Sequence, residues 1–272
     1  MNTALRRTLL STVVLPLTLG AASASAAFIN EWNYNVSSTL TETSAAAGDG
    51  DVVSSDAGRT LTWGTGPQSS ISIENVQTTP ANTGGLVTNG PSVMGGSFFH
   101  VNNAIPDTDE ALTGFLLEST LTVTPFNPPQ GGSAQVNVGF QSFFDETPNN
   151  GDCVLGSSSN CDDIFTLGNL PALGGVPISD GFRFSQDFVF DGITYTANLD
   201  LLDLVALNDD ACTLAENVPA TGCYGFLTAE GGDNEFRTRF SVTAVPEPGT
   251  LALLSLGLAG LGFSRRKKAA KA

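Results

Sequence analysis

Lysine is missing from the body of this chain. All three lysines, Lys267, Lys268 and Lys271, stand within the last six of 272 residues. Between residues 27 and 245 the basic side chains are four arginines, Arg59, Arg183, Arg237 and Arg239, against 26 acids, a net charge of −22. No P-loop lysine and no Schiff-base lysine can come from that stretch. Its charge repels phosphate backbones and anionic headgroups, which excludes nucleic-acid binding and charge-driven adhesion to lipid. Histidine is almost absent as well. His100 is the only one, so any serine or cysteine mechanism must use it as the base. A glycosidase would need two acids roughly 5–10 Å apart across a cleft. Among 26 acids, chance pairs are abundant and carry little information.

The positive charges gather at the ends. Arg6 and Arg7 precede an apolar stretch over residues 8–21, and Ala24-Ser25-Ala26 follows as a small-x-small cleavage site. Residues 1–26 therefore read as a secretory signal peptide, to be excluded from the fold. At the other end, Pro246-Glu247-Pro248 precedes a 14-residue apolar run, Thr250 to Phe263, and then Arg265-Arg266-Lys267-Lys268. The run is short for a spanning helix, which needs about 20 residues. The basic cluster marks its far side as cytoplasmic. This tripartite tail, 246–268, resembles the PEP-CTERM sorting signal of Gram-negative bacteria. The resemblance implies export across the inner membrane and transient membrane association through the apolar helix. It also implies recognition and cleavage by an exosortase, with delivery to the cell surface or extracellular matrix.

Four cysteines remain for an exported body: Cys153, Cys161, Cys212 and Cys223. An even count in an oxidising compartment reads as disulfides. Three pairings exist in principle. Local closure, Cys153–Cys161 and Cys212–Cys223, is favoured because each pair brackets a polar, turn-rich segment. Zinc competes for these thiols, but no CxxC spacing is present and His100 is remote in sequence.

Hydrophobic periodicity over 27–245 is mostly two, and no segment carries a capped amphipathic helical pattern. Phe236 to Ala244 has its more apolar face at even positions. Leu117, Leu121 and Val123 alternate with polar residues, as do Val136, Val138 and Phe140. Asp191-Gly192 is a preferred two-residue hairpin turn. It would pair Phe190 with Ile193, Phe188 with Tyr195, Phe184 with Leu199 and Phe182 with Leu201, all on one face, with Gln186 opposite Ala197 as the exception. Such a face must be covered by a second sheet. The expected fold is all-β, a single antiparallel β-sandwich of jelly-roll type over 27–245. Residues 41–58 and 78–96 read as polar, glycine-containing loops.

Several body segments resemble the THxN family of PEP-CTERM proteins, related to the choice-of-anchor K domain. They are Leu61-Thr62-Trp63-Gly64-Thr65 with Gln68-Ser69-Ser70, and Phe99-His100-Val101-Asn102-Asn103-Ala104-Ile105. Further along come Glu146-Thr147-Pro148-Asn149, Cys161-Asp162-Asp163-Ile164-Phe165 and Gly225 to Glu230. The family's threonine before histidine is Phe99 here. The resemblance implies a location and a single domain, not a reaction.

No catalytic residue and no cofactor are expected. His100 should hydrogen-bond at a strand end and order the Asn102-Asn103 turn. Acidic loops at 49–51, 107–110, 162–163 and 209–210 offer hard oxygen ligands, and calcium is the metal they would take. Asp162-Asp163 is the best candidate, beside a disulfide, although no EF-hand or nonapeptide spacing is present. The leading functional expectation is a structural or adhesive protein of an exopolysaccharide-rich envelope or biofilm, with exosortase as processing partner. A calcium-assisted lectin using Trp32, Tyr34 or Trp63 as sugar platforms is the second reading, and a glycoside hydrolase the third.

Overall fold

The structure is a computed structural model, and the described residues are 27–77, 85–149, 161–168, 170–216 and 220–245. The signal segment, Cys153 and the sorting residues Pro246, Glu247, Pro248, Arg265, Arg266, Lys267 and Lys268 lie outside them.

Among the described residues, period-two patterning produces sixteen strands. In chain order they are β1 (Glu31–Ala46), β2 (Val53–Ser55), β3 (Thr60–Trp63), β4 (Ser69–Ile73), β5 (Val76–Gln77), β6 (Leu86–Val87), β7 (Val93–Val101) and β8 (Ala111–Asn127). There follow β9 (Ala134–Asp145), β10 (Asp163–Leu167), β11 (Val176–Ile178), β12 (Gly181–Phe190), β13 (Ile193–Leu202), β14 (Val205–Ala206), β15 (Tyr224–Thr228) and β16 (Asp233–Thr243). One sheet runs β14-β15-β10-β9-β8-β1-β5, with β6 also on β1. The other runs β11-β12-β13-β16-β7-β4-β3-β2. The strands pair antiparallel, and the two sheets form a sandwich, as expected.

The Asp191-Gly192 hairpin forms in the expected register, with Phe190, Phe188, Gln186, Phe184 and Phe182 opposite Ile193, Tyr195, Ala197, Leu199 and Leu201. Asp191 and Gly192 have φ of 48° and 79°, the left-handed pair that a two-residue turn between twisted strands requires. The apolar face meets the other sheet. Trp32 of β1 stands edge-on to Phe188, Phe190 and Tyr195 at 5.8, 5.4 and 5.0 Å. Deeper along the sandwich, Phe98 of β7 packs between Phe165 at 4.9 Å and Phe236 at 4.7 Å. Each such side chain contributes about 1.5–3 kcal/mol on burial.

Two expectations need correction. Residues 41–46 are not loop, because β1 continues through them, paired with Leu116 to Ala111 of β8 past two register shifts. Within 78–96, Val93 to Gly96 belong to β7. Gly95 and Gly96 fall in the stretch read as loop but make a bulge within β7. Gly96 has φ +107°, and a Cβ on Gly95 would lie 2.5 Å from Thr238 Oγ1. A six-residue helix, α1 (Asp209–Leu214), also forms without an amphipathic signal. Asn208 caps it, accepting from Ala211 N at 2.7 Å.

Cys212 and Cys223 are bonded, with Cα atoms 5.8 Å apart, as the local pairing expected. Cys161 is disulfide-bonded as well, to a partner outside the described residues.

Candidate functional site

Strand order brings five separate segments to one end of the sandwich. In the first sheet β10 lies between β9 and β15, with Asp163 opposite Thr228 and Ile164 opposite Asp145. Glu146 directly follows β9, Asp163 opens β10, and Glu230 sits in the turn after β15. In the second sheet His100 lies near the end of β7 and Trp63 ends β3. These are the segments whose motifs stood out in the sequence, and packing places them against one another.

Carboxylate oxygens of Glu146, Asp163 and Glu230 lie within 4.8 Å of one another. His100 and Asp163 are wholly buried, and His100 Nε2 is 3.8 Å from Asp163 Oδ2. The other ring nitrogen, Nδ1, is 2.8 Å from Thr228 Oγ1. Trp63 Nε1 donates to Glu146 Oε2 at 2.7 Å. Thr147 N donates to Asp163 Oδ1 at 3.0 Å. The Trp63 ring stacks on His100 with an interplanar angle of 11°, and Phe144 stands edge-on to His100 at 4.9 Å. Asn102 donates to Thr228 O at 2.8 Å. His100 Nε2 has no hydrogen-bond partner, whereas the Glu146 and Asp163 carboxyls hydrogen-bond each other and Glu230 is hydrogen-bonded by Asn102.

Burial governs the ionisation of these groups. It pushes His100 down to about 3, so the imidazole is neutral. It pushes Asp163 and Glu146 well above the carboxylate range; the charge of Glu146 raises Asp163 further, and the charges of Glu230 and Asp145 raise Glu146, against the lowering effect of its hydrogen bonds with Trp63 and Asp163. Glu230 is raised for the same reason, with Asp162 adding a smaller electrostatic push. Asp145, alongside, is raised to about 6 by burial and then by Glu216. Three carboxyl groups this close, with Asp163 buried and Glu146 and Glu230 half-buried, cannot all stay ionised without a compensating cation. Three of the four body arginines are engaged elsewhere: Arg183 forks onto Asp200, Arg237 onto Asp203, and Arg59 reaches Asp56.

Asp163 of the expected calcium pair is in this group; Asp162 is not, although it is buried beside it. Glu146 and Glu230 were not singled out as ligands. Their one signal was a position directly after a strand end within a quoted motif. His100 does sit at a strand end, but its ring bonds Thr228 across the sandwich and not the Asn102-Asn103 turn. Gly64 has φ +95°, and a Cβ there would lie 2.8 Å from Ile105. The other acidic loops have structural partners. Asp109 accepts from Thr65 N and Oγ1 at 2.6 and 2.8 Å, and Asp209-Asp210 open α1. The aromatic side chains suggested as sugar platforms are core. Trp32 and Trp63 are 0% exposed and Tyr34 is 4% exposed, so none offers a face to a glycan. A groove of about 200 Å3 passes the cluster, lined by Ile105, Asp107, Asp109, Glu146 and Thr147. Of the three clustered acids, Glu146 alone lines it.

Among the described residues no helix is long and apolar enough to cross a membrane. Residues 244–267 match the PEP-CTERM protein-sorting motif. Comparison with curated proteins returns no match. The motif implies export, exosortase as the processing partner, and a surface or extracellular destination. It begins directly after β16, the last strand among the described residues. Neither comparison supports the THxN resemblance of the body.

Proposed function

We propose that this chain is exported across the inner membrane of a Gram-negative cell and held there by its apolar tail. Exosortase then processes it, and it remains in an exopolysaccharide-rich envelope or biofilm, where its role is structural or adhesive. The observation that carries this is the sorting motif set directly behind a folded sandwich. Processing in the tail would leave all sixteen strands intact. A lysine-free, polyanionic surface resists nonspecific association with nucleic acid and anionic lipid and suits a neutral polymer as partner. A role without catalysis is supported by the burial of Asp163, which does not line the groove. The test is to delete residues 246–272 and fractionate the cells. The truncated chain should appear in the medium while the full chain stays with the surface fraction, and a strain lacking the chain should show weakened matrix cohesion. Identical fractionation of the two chains would refute the sorting role, and an unchanged matrix would refute the structural one.

A further inference from the structure

We infer that Glu146, Asp163, Glu230 and His100 form a binding site for one divalent first-row transition metal ion, of the Zn2+ or Mn2+ class, that ties the two sheets together. The acids alone would not carry this. The second observation is His100, wholly buried, with an unpartnered Nε2 aimed at the cluster.

The pattern of satisfied and unsatisfied atoms is that of a metal site with its supporting shell in place. Glu146 has one oxygen fixed by the Trp63 indole, Asp163 has Oδ1 fixed by the Thr147 amide, and the two carboxyls otherwise face each other across a hydrogen bond that an ion would replace. His100 has Nδ1 fixed by Thr228 and Nε2 without a partner. With Nδ1–H donated to Thr228, the Nε2 lone pair faces Asp163. Outer partners that hold one atom of a ligand and leave the other free orient metal ligands in general. Two donors each about 2.1 Å from a shared ion, at an open angle, are separated by the kind of distance seen between Nε2 and Asp163 Oδ2. Glu230 brings a third carboxylate, so a dication would offset two of the three negative charges that the acids carry once ionised to bind it.

The donor set selects the class of ion. An imidazole nitrogen suits zinc better than calcium or magnesium, which prefer all-oxygen shells, and the three carboxylates also accommodate manganese. Glu146 reaches the groove beside Asp107 and Asp109, an acidic entry path for a cation. The ligands come from both sheets, His100 from one and Glu146 and Asp163 from the other. The ion would thus act as a clip across the sandwich end.

The test uses the folded secreted body, stripped with chelator and titrated separately with Zn2+, Mn2+, Co2+ and Ca2+, with elemental analysis after gel filtration. One Zn2+ or Mn2+ per chain is expected, with Ca2+ binding weaker by about tenfold or more. Asp163→Asn and Glu230→Gln should lose stoichiometric binding while keeping the far-ultraviolet strand signal. If either loses that signal, Glu146→Gln, which can still accept from Trp63, takes its place. His100→Gln should weaken binding by about 10- to 100-fold and alter the Co2+ absorption band. Asp51→Asn, an exposed acid, should bind as the parent does. No bound ion in the parent, undiminished binding by Asp163→Asn, a preference for Ca2+, or a Co2+ band indifferent to His100→Gln would each overturn the assignment.

Discussion

His100 Nε2 faces Asp163 Oδ2 at 3.8 Å, both side chains fully buried, across the interface between the two sheets. The separation is too long for a hydrogen bond, and burial keeps both groups neutral in the absence of a cation. The pair therefore makes folding depend on pH in two opposing senses.

In chelator, Asp163 and Glu146 stay protonated in the fold but ionise in the unfolded chain above about pH 4. The folded state then binds more protons, and stability falls as pH rises from there towards their raised folded-state values. His100, pushed down to about 3, contributes stability present above the ordinary imidazole value and lost as pH falls through that value towards 3. Asp163→Asn removes one of the falling limbs. Urea unfolding between pH 4.5 and 7 should show its stability declining less steeply than the parent's, by about 1.4 kcal/mol per pH unit. Equal slopes would mean Asp163 is already ionised in the fold.

Cys212 and Cys223 close a loop with a sequence separation of 11 residues. Replacing both with alanine should lower unfolding free energy by about 2–3 kcal/mol, mainly by freeing the unfolded chain. Parallel denaturation curves that differ only in midpoint would agree with this. A variant as stable as the parent would show that the bridge contributes nothing.

Trp63→Ala should destabilise by about 3–5 kcal/mol, because it opens a cavity and leaves Glu146 Oε2 without its donor. The parent's tryptophan emission should resist acrylamide quenching and stay unchanged when polysaccharide is added, since both indoles are buried. Saturable quenching by a glycan would restore the sugar-platform reading.

Two glycines separate backbone strain from collision. Gly192→Ala places a side chain at φ +79° with open space around it, and should cost about 1–2 kcal/mol. On Gly225 a Cβ would lie 1.8 Å from the Phe165 carbonyl oxygen, so β10 and β15 would have to separate. Gly225→Ala should cost more than about 3 kcal/mol and disturb Asp163 with it. Thermal unfolding of the two variants side by side distinguishes these cases, and similar losses in both would contradict the close approach.

The features legible in the sequence are those set by local chemistry. Asp191-Gly192 selects its turn through left-handed φ, and period-two alternation then dictates every pair from Phe190–Ile193 to Phe182–Leu201. The ends are read from the order of charged and apolar runs, and the Cys212–Cys223 bridge from a short polar loop. The bulge at Gly95-Gly96 fell in a stretch read as loop, because glycine marks loops and bulges alike. The cluster could not be read in this way. Its residues run from Trp63 to Glu230, and nothing local distinguishes Glu146 or Glu230 from the other acids among 26. Which acids leave water depends on strand order: β10 between β9 and β15, and the sheet bearing His100 packed against them. Burial then gives these carboxylates a chemistry that the same residues lack on the surface. Alternation and turn type act over a few residues, so the sequence alone determined a sandwich and its sorting tail. Desolvation depends on what packs from the opposite sheet, so only the tertiary structure decided where the charged chemistry of this protein is concentrated.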